Sequence, residues 1–210
     1  MTKAGIGAAV ARKEDGRFLH GLGQFVGDIK LAGMLDAAFV RSPVAHGRII
    51  SIDVPEQFHG AVFTAKDLTG LKAIRANSGL KGFKSSEQPP LASNKVRLVG
   101  ELLAVCVAGN RALAEDVVDE VFANIEELEP VTDMLSARAP DTPLVHEEWG
   151  DNIFLETNVD TGVEAALASA PVKVSRRLRM SRQCMAPLEG RGVVAEWNHR
   201  TQQLVVHTAT

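Results

Sequence analysis

Tyrosine is absent from the 210 residues, and aromatic residues make up only 5%. That is little material for a surface that binds by aromatic stacking. Cysteine is as scarce: Cys106 and Cys184 lie far apart, in no C-x-x-C pair and no Cys/His cluster. This spacing argues against a disulfide scaffold and a structural zinc. No apolar stretch approaches the ~18–20 residues of a membrane span, and MTKAGIGAAVARKEDGR at the N-terminus lacks a signal-peptide core. A cytoplasmic protein with no membrane span is the expectation. Net charge is −3, with 23 basic residues scattered except for one cluster. That balance offers no footprint for a polyanion, so nucleic acid is not an expected partner.

What is present is ordinary globular material. Hydrophobic residues are 45% and charged residues 23%, and the length allows one medium domain plus part of another. MLDAAFV (34–40) and IISIDV (49–54) read as two strands around a turn containing Pro43 and Gly47. AVFTAKDL (61–68) opens as a strand and turns toward a helix start, with Thr64 placed to cap the amides of Lys66 or Asp67. ANSGLKGFKSSEQPP (76–90) has no periodicity and reads as a long exposed loop. KVRLVGELLAVCVA (95–108) carries an alternating segment and then an apolar run, the pattern of a strand buried on both faces. Cys106 inside it reads as a small core hydrophobe. Asn110 is placed to cap a helix over RALAEDVVDEVF. Its apolar stripe is Leu113, Val117, Val118, Val121 and Phe122, and its solvated face Glu115, Asp116, Asp119 and Glu120. ANIEELEPV follows as strand, completing a local α/β unit.

The pattern weakens over residues 133–158, read as a connector holding the domain boundary. His146 with Glu147 and Glu148 matches no metal-ligand spacing. VEAALASA then predicts a short helix, and VKVSRRLRM, VVAEW and the stretch from Gln203 predict strands. Arg176, Arg177, Arg179 and Arg182 form the basic cluster, split between the two faces of a strand. Gly21-Leu22-Gly23 is too short for a dinucleotide fingerprint. The residues themselves therefore describe an α+β protein without a nucleophile–base pair, phosphate loop or metal constellation.

A resemblance goes further. The series GRFLHGLGQFVGDI, GMLDAAFVRSPVAHGRIISIDV, VFTAKDL, PPLASNKVRLVGELLAVCVA and ALAEDVVDEVFANIEELEPV resembles the amino-terminal α/β hammerhead domain of the xanthine dehydrogenase, aldehyde oxidase and carbon monoxide dehydrogenase family. Its most characteristic pieces are Arg41-Ser42-Pro43 with His46, Leu91-Ala92, Lys95-Val96-Arg97 and Gly100-Glu101. NVDTGVEAALASA resembles the segment leading into the first molybdopterin-binding domain. CMAPLEGRGVVAEW resembles a second family block through Pro187, Leu188, Glu189, Arg191 and Gly192. Phe25, Gly27 and Leu98 depart from the family's usual tyrosine, aspartate and tyrosine, and PEQFHGAVF is shorter than the usual helix and turn.

The resemblance implies an α+β fold in which a hammerhead domain with a mixed sheet is followed by an incomplete second α/β domain. The implied division is an N-terminal arm (1–15), the hammerhead (16–135), a connector (136–158) and the beginning of a molybdopterin-binding domain (159–210). It implies the N-terminal portion of a molybdenum hydroxylase large subunit, an oxidoreductase that hydroxylates an aldehyde, a purine or N-heterocycle, or carbon monoxide. The implied cofactor is molybdopterin, as the cytosine dinucleotide, which makes a water-derived nucleophile available near neutral pH. The implied partners are an iron–sulfur subunit, an FAD subunit and the remainder of the large subunit. The metal-proximal glutamine and the glutamate base would lie beyond Thr210, so LVVHTAT (204–210) is expected to stop in mid-strand, as in a truncated or split subunit inactive alone. No catalytic, cofactor-binding or metal residue is assigned within the chain, and Glu189 is expected to pair structurally near Arg191. The alternative is a stand-alone, non-catalytic hammerhead domain that docks on hydroxylase subunits.

Overall fold

The computed structural model describes residues 5–159, 161–181 and 183–209. Its elements are α1 (Asp15–Leu19), β1 (Asp36–Arg41), β2 (Gly47–Asp53), β3 (Val62–Thr64), β4 (Ile74–Arg75), β5 (Glu87–Gln88), β6 (Lys95–Val96), β7 (Leu102–Ala108), α2 (Arg111–Asp119), β8 (Phe122–Glu127), α3 (Val163–Ser169), β9 (Val193–Asn198) and β10 (Gln203–Thr208). This is the α+β class read from the sequence. Every ladder between these strands is antiparallel. The chain separates into two compact units, residues 34–173 and residues 1–33 with 174–210.

In the unit of residues 34–173, β7 is the centre of a sheet ordered β1-β7-β3, and β2 the centre of a second sheet ordered β6-β2-β8. Side chains directly opposite one another in an antiparallel pair share a face. Cys106 therefore sits in one row between Ala38 and Val62, and Ala104 between Val40 and Thr64. Cys106, Leu103, Ala104 and Val96 are fully buried and join Val40, Val62, Ala92, Val117 and Val121 in one core. Burying each large apolar side chain contributes about 1.5–3 kcal/mol. Ile49, Ile52, Ala123 and Ile125 of the second sheet pack on the same core. A register shift between Ile49 and Ser51 explains how β2 turns both Ile49 and Ile52 inward while Ile50 stays exposed. Gly47 permits close approach: a Cβ there would lie 2.5 Å from Ile125 Cγ2 and 2.9 Å from the Glu126 carbonyl.

α2 begins where predicted, with Asn110 Oδ1 accepting the Leu113 N–H at 3.0 Å. Its inner face differs. Ala114 and Val117 are buried, whereas Leu113 is exposed, and the helix stops at Asp119, so Phe122 belongs to β8 and points outward. Val117 and Val121 of the expected stripe are buried and Val118 packs against the core, while Leu113 and Phe122 are exposed and Ala114 takes the inner position instead. β7, α2 and β8 do not form a crossover within one sheet, and β1 and β2 likewise enter different sheets.

Two further expectations need correction. After β3 the chain makes a turn in place of a helix. Thr64 does accept the Lys66 N–H, but Asp67 accepts the Thr64 N–H at 2.7 Å and its hydroxyl at 2.9 Å, which closes a tight loop. The 76–90 loop is pinned at its base by the β4–β5 ribbon and an Arg75–Glu87 ion pair.

In the other unit, β9 and β10 form a two-stranded hairpin, with Leu204 opposite Trp197 and Val206 opposite Ala195. Asn198 Oδ1 accepts the amides of Arg200 and Thr201 and shapes the turn, where Gln202 takes φ +54°. Phe25 stacks on Phe18 with ring centroids 6.2 Å apart. VKVSRRLRM forms no strand: residues 173–180 are irregular and exposed. Alternation specifies a strand only where an edge is available to pair with it, and no described segment pairs here. Arg176, Arg177 and Arg179 are exposed on this segment, and Arg182 lies outside the described residues.

Candidate functional site

The pieces around Arg41-Ser42-Pro43, His46, Leu91-Ala92, Lys95-Val96-Arg97 and Gly100-Glu101 converge in the unit of residues 34–173. Where β1 ends, the Ser42 N–H donates to the Glu101 carbonyl at 2.9 Å and the Gly100 N–H to the Ser42 carbonyl at 2.8 Å. Arg41 Nη1 donates to the Gly100 carbonyl at 2.9 Å. Gly100 holds φ +86°, a left-handed turn conformation that favours glycine. Glu101 Oε2 accepts the Arg97 N–H at 2.5 Å, and the Ala92 N–H donates to the Leu102 carbonyl at 2.7 Å. Buried His46 faces the Glu129 carbonyl through Nδ1 at 2.7 Å, while its own carbonyl accepts the Leu128 N–H. Nδ1–H donating to that carbonyl leaves Nε2 as an acceptor, and Nε2 is buried without a partner among the described residues.

Lys95 is the cationic centre of this knot. It is buried, and its ammonium donates to Leu144 O at 3.1 Å, Val145 O at 3.2 Å and Glu147 Oε1 at 2.6 Å. Three donors meet three acceptors, which is what allows a charge to sit in the interior. The hydrogen bond from Lys95 holds the Glu147 carboxyl below its ordinary range. Arg97 Nε adds a bond to Val145 O at 3.1 Å. Asn152 closes the loop, its Oδ1 accepting the Val145 N–H and its Nδ2 donating to Pro143 O and Ala137 O.

The same segment holds the 76–90 loop. Lys84 Nζ donates to Asp151 Oδ1 at 2.6 Å and Trp149 O at 3.1 Å, and Trp149 Nε1 donates to Ser85 O at 3.2 Å. Phe83 meets Phe154 edge-to-face. Lys84 draws the Asp151 carboxyl below its ordinary range. Residues 137–154 thus form a hydrogen-bonded strap within the stretch read as a connector. Sequence reasoning named Lys95 only within a family-like piece and passed over Asn152 and Lys84; a lysine beside an apolar strand is the signal, since it must find acceptors. His146 stacks on Trp149 with centroids 4.1 Å apart, and its Nδ1 lies 3.2 Å from Glu148 Oε1. The first cause holding Glu148 low is its own backbone N–H, ahead of His146. No group of three or more His, Cys, Asp or Glu that could hold a metal occurs among the described residues.

In the unit of residues 1–33 with 174–210, Glu189 Oε1 accepts the Val26 N–H at 3.1 Å. This is the partner the structure gives Glu189, in place of the expected pairing near Arg191. Its side chain stands between two open clefts. One, of about 560 Å³, is lined by Gln24, Phe25, Val26, Ile29 and Leu31 with Glu189 and His207–Ala209. The other, of about 630 Å³, has Gly27, Asp28, Leu188 and Gly190–Gly192 around the same Glu189. A Cβ on Gly192 would lie 3.2 Å from Val26 Cγ1, so the two segments approach closely. Gln24, Glu189, His207 and Thr208 offer hydrogen bonds to a polar ligand but no metal-ligand set. Cys106 is inert by placement, burial pushing its thiol up, and Cys184 is exposed. No described helix is long and apolar enough to cross a membrane.

Residues 20–129 match the family model described as "Aldehyde oxidase and xanthine dehydrogenase, a/b hammerhead domain". Residues 145–210 match a "Molybdopterin cofactor-binding domain". The nicotine 6-hydroxylase large subunit of Paenarthrobacter nicotinovorans is 35% identical over all of this chain and 26% of its own length. The carbon monoxide dehydrogenase large chain of Hydrogenophaga pseudoflava is 35% identical over 94% of this chain and 26% of its own. The crystal structure of quinoline 2-oxidoreductase from Pseudomonas putida 86 superimposes with a TM-score of 0.87 at 36% identity, over 96% of this chain and 26% of that one. The chain thus spans about a quarter of the length of the relatives it matches. With the hammerhead model covering 110 of 210 residues (20–129), the chain belongs to the aldehyde oxidase and xanthine dehydrogenase family.

Proposed function

We propose that this chain is the N-terminal portion of a molybdenum hydroxylase large subunit, an oxidoreductase that hydroxylates an aldehyde, a purine or N-heterocycle, or carbon monoxide with water-derived oxygen. The observation that carries this reading is the succession, in one chain, of the hammerhead match at residues 20–129 and the cofactor-domain match at residues 145–210. The domain division follows as an arm (1–15), the hammerhead (16–135), a connector (136–158) and the start of the cofactor domain (159–210). The cofactor of the whole enzyme is molybdopterin in its cytosine dinucleotide form. When bound, it supplies a nucleophile from water near neutral pH and accepts the substrate's electrons. Electrons leave through an iron–sulfur subunit and an FAD subunit, in the cytoplasm.

The reading assigns the described residues to the scaffold of such an enzyme. No catalytic, cofactor-binding or metal residue is assigned to this chain, and no chemical step is routed through it. What its residues do is positional: Lys95 and Arg97 tie residues 137–154 to the sheet that contains β6 and β2, and Asn152 holds the segment's own loop closed. Metal analysis of the purified 210-residue chain tests the reading. Less than about a tenth of a molybdenum per chain is expected, and stoichiometric molybdenum overturns the assignment of the metal centre elsewhere. The chain grafted in place of the matching quarter of the Paenarthrobacter large subunit is expected to restore metal loading; a graft that folds but never loads molybdenum counts against the family role.

A further inference from the structure

No residue of the 76–90 loop or of the 137–154 strap belongs to the apolar core of their unit. Segments without core contacts lie at the low end of local stability, where polar bonds decide whether they stay closed. Here those bonds run in series. Among the described residues, every hydrogen bond that the loop makes beyond its own ribbon goes to 149–154: the Lys84 N–H donates to the Phe154 carbonyl at 2.7 Å, Lys84 Nζ to Asp151 and the Trp149 carbonyl, and Trp149 Nε1 to the Ser85 carbonyl. The strap is tied to the sheet of β6 and β2 by four bonds at residues 144–147, three from Lys95 and one from Arg97. Asn152 stands between the two anchorages. Its neighbour Asp151 holds Lys84, while its own Oδ1 accepts the Val145 N–H at 2.9 Å, and the carbonyl of Val145 is the one that Lys95 and Arg97 hold.

We infer that the strap and the 76–90 loop form one latch, opening and closing together through Asn152 as the joint between the Lys95 and Lys84 anchors, while the core sheets stay closed. A joint of this kind transmits because each Asn152 bond fixes backbone that an anchor also fixes: Val145 on one side, and on the other the chain directly after Asp151, where Asp151 Oδ1 also accepts the Ile153 N–H at 2.9 Å. The cofactor-domain match starts at residue 145, so the latch clamps the beginning of that match onto the hammerhead strand β6. Asn152 is a positioning residue in this device, and the device stands whether or not the proposed activity does.

The test is hydrogen–deuterium exchange resolved to single amides in the 210-residue chain. Lys95→Met removes three of the four bonds to the sheet, and it should speed exchange of the Lys84 and Trp149 amides about tenfold, although neither residue bonds to Lys95. Coupling is reciprocal, so Lys84→Met should speed the Val145 amide by about the same factor. In an Asn152→Ala background, Lys95→Met should leave the Lys84 amide unchanged. The Ser42 and Val107 amides, bonded to the Glu101 and Ala61 carbonyls, should keep their parent rates in Lys84→Met. That variant removes a partly exposed side chain outside the core, and it decides the matter if Lys95→Met does not fold. Parent rates at Val145 in Lys84→Met, or at Lys84 and Trp149 in a folded Lys95→Met, overturn the latch. A Lys84→Met chain in which Val107 speeds up as much as Val145 has no separate unit and overturns it as well. Transmission that survives Asn152→Ala overturns the joint.

Discussion

Replacing Lys95 by Met keeps the apolar stem against the core and removes the ammonium alone. The structure assigns that ammonium three acceptors, two of them backbone carbonyls at 3.1 and 3.2 Å and one the Glu147 carboxylate at 2.6 Å. A buried acceptor left without its donor costs about 1–3 kcal/mol; Val145 O keeps its bond from Arg97 Nε, so the Leu144 carbonyl alone sets a loss of about 1–3 kcal/mol. Glu147 adds little, because its side chain is 57% exposed and returns to water. Against this, the variant no longer desolvates a charge, which offsets part of that loss. The balance is a destabilisation of about 1–2 kcal/mol. Urea unfolding followed by circular dichroism should show the midpoint falling with the slope unchanged. A double-mutant cycle with Glu147→Gln should return a coupling of about 1 kcal/mol or less. A Lys95→Met midpoint indistinguishable from that of the parent chain refutes the reasoning, since the Leu144 carbonyl would then have found another donor.

Gly47→Ala should destabilise by about 1–3 kcal/mol in the same assay, because its Cβ would meet the Glu126 carbonyl at 2.9 Å as well as Ile125; a neutral effect would show that β2 and β8 can separate freely. A thiol reagent should label Cys184 at once and Cys106 only on unfolding, given their exposed and buried placement; rapid labelling of both thiols in the native chain contradicts the core assignment. Acid should release the 137–154 strap. Glu147 and Asp151 have folded pKa values below their ordinary 4.5 and 3.8, so the unfolded state binds more protons in that window. Their contribution is therefore complete above about pH 5 and lost as pH falls through the depressed values. Fluorescence of Trp149 in a Trp197→Phe background should report that loss below about pH 4.5, and an unchanged signal to pH 2 would contradict it.

The local chemistry of the chain was legible where short-range rules suffice. Asn110 caps α2 because its side chain reaches an amide three residues away, and Cys106 is a core residue because an apolar β-branched neighbourhood admits little else. The family also was legible, since the order of the blocks around Arg41-Ser42-Pro43 and Lys95-Val96-Arg97 survives without any coordinates. The clefts beside Glu189 were not, because the Val26 amide that holds this carboxylate lies 163 residues away.

The sequence by itself determined which segments could be strands, which face of each was apolar, where α2 starts, and the family to which these blocks belong. Only the tertiary structure decided which strands pair, that β1 and β2 enter different sheets, and that residues 137–154 are strapped down by Lys95, Arg97 and Lys84. The reason is one of range. Propensity and periodicity act over a few bonds, whereas a buried ammonium or a strand edge is satisfied by whichever partner the whole fold brings near. VKVSRRLRM carries the pattern of a strand, and what that pattern lacks among the described residues is an edge to join.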